Sequence, residues 1–496
     1  DVWSLAPLQS GLLFHALIAQ TSVDVYTMRV LLKLTGTVDR DRLHGAAQAL
    51  LDRYENLRTA FVQNVDGTSV QLVLDHVDVP WRDVDLTDRT AEDRDAAFEA
   101  LRLRDKAEHF DLTSAPLMRF TLVKMSETDY RFLVSSHHLL LDGWSTPLLM
   151  RDLLALYALR GDSSPLTRVR SYRSFLAWVA EQDATASKEK WTDALAGVEE
   201  PTMLSSVDQN REVSADAAKI ELDLSEQLTS TLQSLGARLG VTLNTMVQAA
   251  WGLLLGRSVG NDDVVFGATV SGRPAGLAGV ESMVGLFINT LPVRVRFDGN
   301  ESIESVLVRL QGEQADLLDH HYLGLNEIQR AADLGALFDT LTVFESYPMD
   351  EAGLAQQAKN IDGMSVADVE LEDATHYPLT LLIAVDKQLR LQLKYLTDVF
   401  DADAVATMAD RLQRIFEAIA ADPSTPVGDI DLSGSEERAL LAGVNDTARD
   451  IDESATLVSL FAAQVAATPD AVAVTFQGES LTYAEFDARS NSVARA

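Results

Sequence analysis

The stretch that decides the fold runs from Tyr130 to Ser145 and reads Y-R-F-L-V-S-S-H-H-L-L-L-D-G-W-S. Its first half is rich in β-forming residues and predicts a buried strand that ends at two adjacent histidines, where a loop begins. Neighbouring side chains of a strand point to opposite faces, so His137 and His138 cannot both face one cleft. The pattern predicts one working imidazole at the strand end and one that packs.

Asp142 follows His138 by four residues, and Gly143 allows the backbone to turn sharply after it. Such a turn could bring the carboxylate back near the imidazole, where it would hold one tautomer or brace the loop. Imidazole titrates near neutrality, so one interpretation is a general base or polarising group for an attacking amine or alcohol. The other is a packed histidine pair followed by an ordinary Asp-Gly turn, and the residue types leave both open.

Composition narrows the classes of function. The 496-residue chain has no cysteine, which excludes disulfides, a thiolate nucleophile and Cys-ligated zinc and fits a cytoplasmic protein. A metal site is not expected, since no second His/Asp cluster stands at ligand spacing. No apolar run reaches the ~18 residues of a membrane span, and no secretory leader is recognisable. The net charge of -34 disfavours nucleic acid, because its phosphates would be repelled. We expect a monomer without nucleic-acid or membrane partners.

The run His137-His138-x-x-x-Asp142-Gly143 resembles the HHxxxDG motif of the condensation domains of nonribosomal peptide synthetases, a family similar in fold to chloramphenicol acetyltransferase. Further segments resemble motifs of that family and stand in the family's order. They are residues 6–15, 52–61, 171–178, 283–294, 320–328 and 339–348. Two of them depart from the family, because Ala6 replaces a serine and 320–328 lacks a proline. Each segment is weak by itself, and their joint occurrence carries the resemblance.

The resemblance implies an α/β fold of two chloramphenicol-acetyltransferase-like lobes in a V-shaped pseudo-dimer with a central tunnel. We assign residues 1–180 to the N-terminal lobe and 181–432 to the C-terminal lobe. Residues 433–452 are predicted to be a linker. Residues 453–496 resemble the N-terminal fragment of an adenylation domain, through the run L-T-Y-A-E-F at 481–486. The absence of an initiator methionine predicts a piece of a longer polypeptide.

The activity implied by the resemblance is peptide bond formation. The α-amine of a carrier-bound aminoacyl acceptor would attack the thioester of a carrier-bound peptidyl or aminoacyl donor. The expected partners are the upstream donor and downstream acceptor peptidyl carrier domains and the adjacent adenylation domain. The substrates would be carried on 4′-phosphopantetheine, with no cofactor bound by the domain itself. Segment 6–15 resembles the subtype whose donor ends in a D-residue.

Two alternatives exist within the same superfamily, an epimerisation domain and a non-catalytic recruitment domain. An epimerisation domain shares HHxxxD but continues with serine and then tryptophan, whereas here Trp144 precedes Ser145. A recruitment domain would be expected to lose the second histidine, and His138 is present. Both observations favour condensation.

The resemblance also implies roles for individual residues. His138 would stand at the tunnel centre as a base, a positioning group or an oxyanion stabiliser, with the Gly143 N–H as a second oxyanion donor. His137 is expected to pack, and Asp142 to brace the loop.

Two arginines are expected to support the same site. Arg58 would pair with a carboxylate near the active loop. Arg294 lies in an apolar run, where it would need a buried partner, and is the expected counter-ion of Asp142. The residues expected to line the tunnel are Trp144, Ser145, Ser271 and Asn289.

Overall fold

The computed structural model describes residues 1–18, 25–206, 217–345, 360–373, 375–450 and 454–496. These residues divide into two compact units, 1–432 and 433–496. The end of the motif-like segment 339–348, residues 346–348, lies outside the described residues. Within them no single helix has the length and apolarity to cross a membrane, and one bent pair of helices passes that test only when its members are taken together.

The strands are short to medium in length, and most are apolar on at least one face. In chain order they are β1 (Val2–Trp3), β2 (Thr27–Gly36), β3 (Thr59–Gln63), β4 (Ser69–Val73), β5 (Trp81–Asp85), β6 (Met118–Lys124), β7 (Asp129–His137), β8 (Ala217–Asp223), β9 (Asp263–Val270), β10 (Asn289–Arg296), β11 (Thr340–Glu345), β12 (Met364–Glu372), β13 (Leu379–Val385), β14 (Leu389–Leu396), β15 (Val472–Phe476) and β16 (Glu479–Thr482).

Many of the helices begin at a side chain that accepts a hydrogen bond from the first turn, as Asp39 does for α2 and Thr242 for α8. In chain order the α-helices are α1 (Pro7–Ile18), α2 (Arg40–Arg53), α3 (Ala91–Ala107), α4 (Ser145–Ala158), α5 (Arg173–Ala180), α6 (Ala184–Leu195), α7 (Glu226–Leu239), α8 (Leu243–Val259), α9 (Ile303–Ala315), α10 (Leu325–Ala331), α11 (Ala402–Ala421), α12 (Ser435–Asn445), α13 (Leu457–Ala467) and α14 (Tyr483–Arg495).

The first large sheet has the strand order β12-β2-β7-β6-β5, with only β5 and β6 parallel. Helices α2 and α4 contribute to the hydrophobic core on it. Strand β12 departs from the predicted division of the chain, since it falls within 181–432 yet pairs with β2 of the N-terminal lobe. It covers an edge of that sheet that would otherwise leave backbone groups unpaired.

The second large sheet has the order β10-β9-β11-β13-β14-β8 and mixes parallel with antiparallel pairs. Its hydrophobic core joins the sheet to helices α7, α8, α9 and α11. A small sheet of order β1-β4-β3 completes the 1–432 unit. The two large sheets therefore have separate cores.

The 433–496 unit holds the β15–β16 hairpin and helices α12 to α14. Phe461 of α13 contacts Phe486 of α14, with ring centroids 5.4 Å apart. The predicted linker 433–452 is wrong in part, because α12 occupies Ser435–Asn445. Its first turn carries Glu436 and Glu437, which favour the positive end of a helix dipole.

Candidate active site

Strand β7 directs the two adjacent histidines to different surroundings. His137 is buried, its Nδ1 accepts a hydrogen bond from the Leu139 N–H (3.1 Å), and its ring lies beside Tyr26 and Phe110. His138 instead lines a cavity, while its backbone N–H donates to the Tyr26 carbonyl (2.8 Å). Strand alternation therefore selects His138 as the imidazole that faces open space.

The cavity has a volume of about 890 Å³ and is lined by both large sheets. Met28 and Val369 come from the first sheet, and Thr269 and Leu382 from the second. Of the residues expected along a tunnel, Trp144 and Ser271 line this cavity, and so does Gly143. His138 therefore lies where side chains of the two sheets face one another.

Ser145 and Asn289 do not line the cavity as expected and belong to the interior. Ser145 is fully buried, and its Oγ donates to the Gly285 carbonyl (2.8 Å). Asn289 is also buried, and its Nδ2 donates to the carbonyls of His321 (2.9 Å) and Leu323 (2.7 Å). Each polar side chain satisfies a backbone group that would otherwise be buried without a partner, so it points into the protein.

Asp142 ties the loop after β7 to the segment before β10. Its fully buried carboxylate accepts from the backbone N–H groups of Ser145 (2.9 Å), Phe287 (2.9 Å) and Ile288 (3.3 Å). Its counter-ion is Arg273, whose Nη2 lies 3.3 Å from Oδ1. The carboxylate thus satisfies an N–H of the first turn of α4, which has no acceptor within the helix. These contacts support the bracing role expected of it.

The expected pairing of Arg294 with Asp142 is wrong. Arg294 on β10 forms a salt bridge with Asp263 on β9, with Nη2 2.6 Å from Oδ2. In this antiparallel pair Arg294 lies opposite Val265, so the Asp263 carboxylate is its diagonal neighbour. A carboxylate on the adjacent strand takes the arginine, and Arg273 from the loop after β9 pairs with Asp142 instead.

Arg273 carries no sequence signal, because an arginine beside glycine and proline is an ordinary loop pattern. Its guanidinium carbon lies 3.9 Å from the ring centroid of Phe287 and 5.5 Å from that of Trp144. Burial lowers the pKa of Arg273, and the Asp142 carboxylate opposes that effect. The buried pair therefore holds together two loops that are 131 residues apart in the chain.

The expected pairing of Arg58 with a carboxylate is wrong. It is buried, and its guanidinium donates to the carbonyl oxygens of Leu51 (2.6 Å), Asp52 (2.8 Å) and Leu74 (3.0 Å). The first two belong to the last turn of α2, where carbonyl groups have no partner within the helix. Arg58 therefore caps α2 and supports the lobe, not the active loop.

Both ring nitrogens of His138 face oxygen acceptors. Nε2 lies 2.8 Å from Oδ1 of Asp373, and Nδ1 lies 3.3 Å from the Leu141 carbonyl oxygen. Burial, the largest single influence, lowers the pKa of this imidazole, but Asp373, the Leu141 carbonyl and the charge of Asp142 together outweigh burial and raise the pKa. Asp373 carries no signal in the sequence, because it is one acidic residue among many.

A second group of rings lines the same cavity. His376 Nδ1 lies 2.8 Å from Tyr26 Oη, and the His376 ring stacks on His15 with centroids 4.6 Å apart. Burial, reinforced by the nearby His15, lowers the pKa of His376 to about 3. Burial also lowers the pKa of His15. This group is therefore neutral near pH 7 and adds polarity without charge to the wall.

The N-terminal end of α4 faces the cavity near His138. Gly143 and Trp144 precede the helix, and Thr146 and Pro147 of its first turn line the cavity. The N-terminus of a helix carries a partial positive charge that favours a nearby anion. The first-turn N–H groups of Ser145 and Thr146 already donate to Asp142, so the imidazole and the Gly143 N–H are the groups that could orient a nucleophile and stabilise negative charge on a carbonyl oxygen.

Comparison with known proteins matches this chain to a family. The model of the family "Condensation domain" matches residues 1–442. A linear gramicidin synthase of Brevibacillus parabrevis is 36% identical over 501 residues, which is 99% of this chain and 10% of that protein. Bacitracin synthase 3 of Bacillus licheniformis is 32% identical over 498 residues, 99% of this chain and 8% of that protein. The chain thus spans about a tenth of the length of these relatives.

Two solved structures show the fold. The first condensation domain of the calcium-dependent antibiotic synthetase, in complex with a substrate analogue, superposes with a TM-score of 0.68 at 20% identity, over 88% of this chain and 99% of that one. The X-domain from teicoplanin biosynthesis superposes with a TM-score of 0.72 at 24% identity, over 86% of this chain and 97% of that one. These likenesses confirm the predicted α/β fold of two acetyltransferase-like lobes.

Proposed function

Since this chain belongs to the condensation domain family, we propose that it forms a peptide bond between two substrates held on carrier domains. The acceptor's α-amine attacks the thioester carbonyl of the donor, and the peptide passes to the acceptor. The observation that supports this most is the position of the His138 imidazole, on the wall of a cavity lined by both lobes.

The expected partners follow from that reaction. An upstream carrier domain presents the donor and a downstream carrier domain presents the acceptor, each on a 4′-phosphopantetheine arm. A cavity of about 890 Å³ has room for the two reacting ends, and the apolar side chains on its wall suit thioesters and amino-acid side chains. The domain itself needs no cofactor for this transfer.

The chemical step requires little activation of the donor, because a thioester is already reactive. The amine nitrogen bonds to the carbonyl carbon, a tetrahedral oxyanion forms, and the carbon–sulfur bond breaks with the electron pair leaving on sulfur. His138 would orient the amine and receive its proton. The Gly143 N–H would stabilise the oxyanion.

Two finer assignments belong to the same proposal. The donor ends in a D-residue, an assignment supported by the likeness of segment 6–15 to that subtype. Residues 453–496 are the start of an adenylation domain. Their separation from the 1–432 unit and their position beyond the family match at residue 442 support this.

A condensation assay in trans tests the proposal. The full chain is mixed with one carrier loaded with a D- or L-ended donor and a second carrier loaded with an L-aminoacyl acceptor. Intact-protein mass spectrometry should find the peptide on the second carrier, and more of it from the D-ended donor. No product from either donor would contradict peptide bond formation. Deuterium uptake at the donor α-carbon without transfer would indicate epimerisation instead.

A further inference from the structure

The order of strands in the first sheet brings Asp373 beside His138. Glu372, the last residue of β12, lies opposite Arg29 of β2, and Arg29 lies opposite Ser135 of β7. The residue after Glu372 is therefore level with the end of β7, two strands away. The two residues are 235 positions apart in the chain, and Nε2 lies 2.8 Å from Oδ1.

The Asp373 carboxylate is accessible from the cavity. Its side chain is 46% exposed and lines the cavity, whereas the His138 side chain is 12% exposed. Lys394 of the second sheet holds the backbone of Asp373 in place, because its Nζ donates to the Asp373 carbonyl oxygen (2.5 Å). A substrate that enters the cavity can therefore reach this carboxylate.

The contacts of His138 favour a protonation state that cannot accept a proton. Nδ1 faces the Leu141 carbonyl and Nε2 faces the Asp373 carboxylate, so both nitrogens donate only if both carry hydrogen. A doubly protonated imidazole has no lone pair for an incoming amine. A ligand that brings its own cationic donor to the Asp373 carboxylate can replace the imidazolium there and free His138.

We propose that Asp373 is the docking group for the α-ammonium of the acceptor and positions it against His138, an inference that rests on the proposed function. An α-amino group has an ordinary pKa of about 7.7–8.0, so the acceptor arrives largely as an ammonium. It replaces the imidazolium opposite Asp373, and His138 releases its proton to solvent. The positive charge that the carboxylate needs is then supplied by the substrate.

The protons of the step balance. Neutral His138 takes one proton from the ammonium, and the freed lone pair forms the carbon–nitrogen bond. The carbon–sulfur bond breaks, and the thiolate receives the proton from His138. The amide nitrogen loses a second proton to solvent and keeps the third as its N–H. No oxidant, reductant or further reactant is needed.

Other charged groups are arranged differently around His138. The negative charge of Asp142 also favours the protonated form of His138. That carboxylate, however, is fully buried and is bound to Arg273. Further charged residues that line the cavity belong to strands of the second sheet, and these are Glu221, Asp223, Glu345, Arg390 and Lys394. Asp373 is therefore the carboxylate placed to exchange one cation for another at Nε2.

Binding of a stable acceptor mimic tests the inference without turnover. The probes are alanyl-, leucyl- and phenylalanyl-aminopantetheine, in which an amide N–H replaces the thioester sulfur, and propionyl-aminopantetheine, which lacks the α-amine. Calorimetry on the full chain should show that Asp373→Asn weakens the best aminoacyl probe about tenfold or more, since the acceptor of the ammonium loses its negative charge. The propionyl probe should bind the two proteins equally.

Asp368→Asn is the matched control, because Asp368 lies on β12, the strand that Asp373 directly follows, and pairs with Lys33 outside the cavity. It should bind every probe as the wild type does. Equal affinity of Asp373→Asn and wild type for the aminoacyl probes would overturn the inference. So would a wild type that fails to prefer any aminoacyl probe over the propionyl probe.

Turnover separates this inference from the proposed function. In the condensation assay Asp373→Asn should raise the KM for the aminoacyl carrier about tenfold, and Asp373→Glu should recover part of the loss. A wild type that makes peptide while Asp373→Asn keeps the same KM would defeat only the docking role. A wild type that makes no peptide would defeat the proposed function.

Discussion

His138 and His376 line the same cavity, yet the protein gives them opposite acid–base properties. Burial lowers the pKa of both imidazoles. At His138 the carboxylate of Asp373, together with the Leu141 carbonyl and Asp142, reverses that effect. His376 has Tyr26 and the His15 ring as its neighbours, and its pKa falls to about 3. Burial therefore sets the direction only where no opposite charge is within reach.

The two histidines are also held in different ways. His138 follows a regular strand, and its loop is fastened by the buried Asp142–Arg273 pair. His376 is held by ring contacts, with its centroid 4.1 Å from that of Tyr377 and 4.6 Å from that of His15. A carboxylate partner raises the pKa of one imidazole, and burial among rings lowers the pKa of the other.

The sharpest test of this difference is loss of each imidazole in turn. His138→Ala should reduce peptide formation about 10²- to 10⁴-fold, the usual contribution of a proton-transfer group. His376→Ala should reduce it far less, because a ring with a pKa of about 3 is too weak a base to take up a proton at pH 7. Rates from intact-protein mass spectrometry, with melting temperatures as the folding check, give the comparison. Equal losses from the two variants would break it.

The ion pair beneath the His138 loop should dominate the stability of that region. Asp142→Ala should lower the free energy of unfolding by about 3–5 kcal/mol, because it leaves the Arg273 guanidinium buried without its counter-ion. Asp263→Ala, which removes the partly exposed partner of Arg294, is the matched control and should cost less. Denaturant unfolding measures both. A fully stable but inactive Asp142→Ala protein would assign that carboxylate to the chemistry.

A fall in pH should lower the stability of the protein through His376, because its folded ring stays neutral. Between pH 6.5 and about 3 the unfolded ring binds a proton that the folded ring does not, so stability should fall as the pH falls. The slope from this one group is at most about 1.4 kcal/mol per pH unit. His376→Gln should flatten the curve over that window. An unchanged slope in the variant would mean that the folded ring is protonated normally.

A rise in pH should lower stability through His138, and by less than the fall in pH does through His376. Its pKa is raised in the folded state, so the pair with Asp373 stabilises the protein below pH 6.5 and is lost as the pH rises through the raised pKa. The effect should stay below about 1 kcal/mol, because the Asp373 side chain is 46% exposed and solvent screens the pair. Asp373→Asn should remove this part of the pH dependence in denaturant unfolding. If Asp373→Asn and the wild type show the same pH dependence of unfolding, the pair does not contribute to stability.

Much of the first lobe follows from local pattern. The run of β-forming residues before His137 predicts the strand that the structure contains, and alternation predicts that only one histidine faces the cavity. The fold class follows from the order of the motif-like segments. The helix at Ser435–Asn445 escapes the pattern because acidic and polar residues dominate a stretch that nonetheless contains good helix formers.

The wrong predictions concentrate at pairings between distant residues. Opposite charge suggested that Arg294 pairs with Asp142, but Asp263 on the neighbouring strand is the carboxylate that Arg294 contacts. Charge likewise gives Arg58 a carboxylate, yet the end of α2 offers carbonyl groups. Many arginines and carboxylates of a chain could pair by charge, and only their relative positions decide which do.

The sequence by itself determined that a strand ends at two histidines and a tight turn, because those features depend on the conformations of neighbouring residues. Tertiary structure alone decided that Asp373 lies against His138 and Arg273 against Asp142, across 235 and 131 residues of chain. Strand order and register set the first distance, the packing of two loops sets the second, and neither leaves a local signature. The raised pKa of the central imidazole therefore depends on the pairing of β12 with the first sheet.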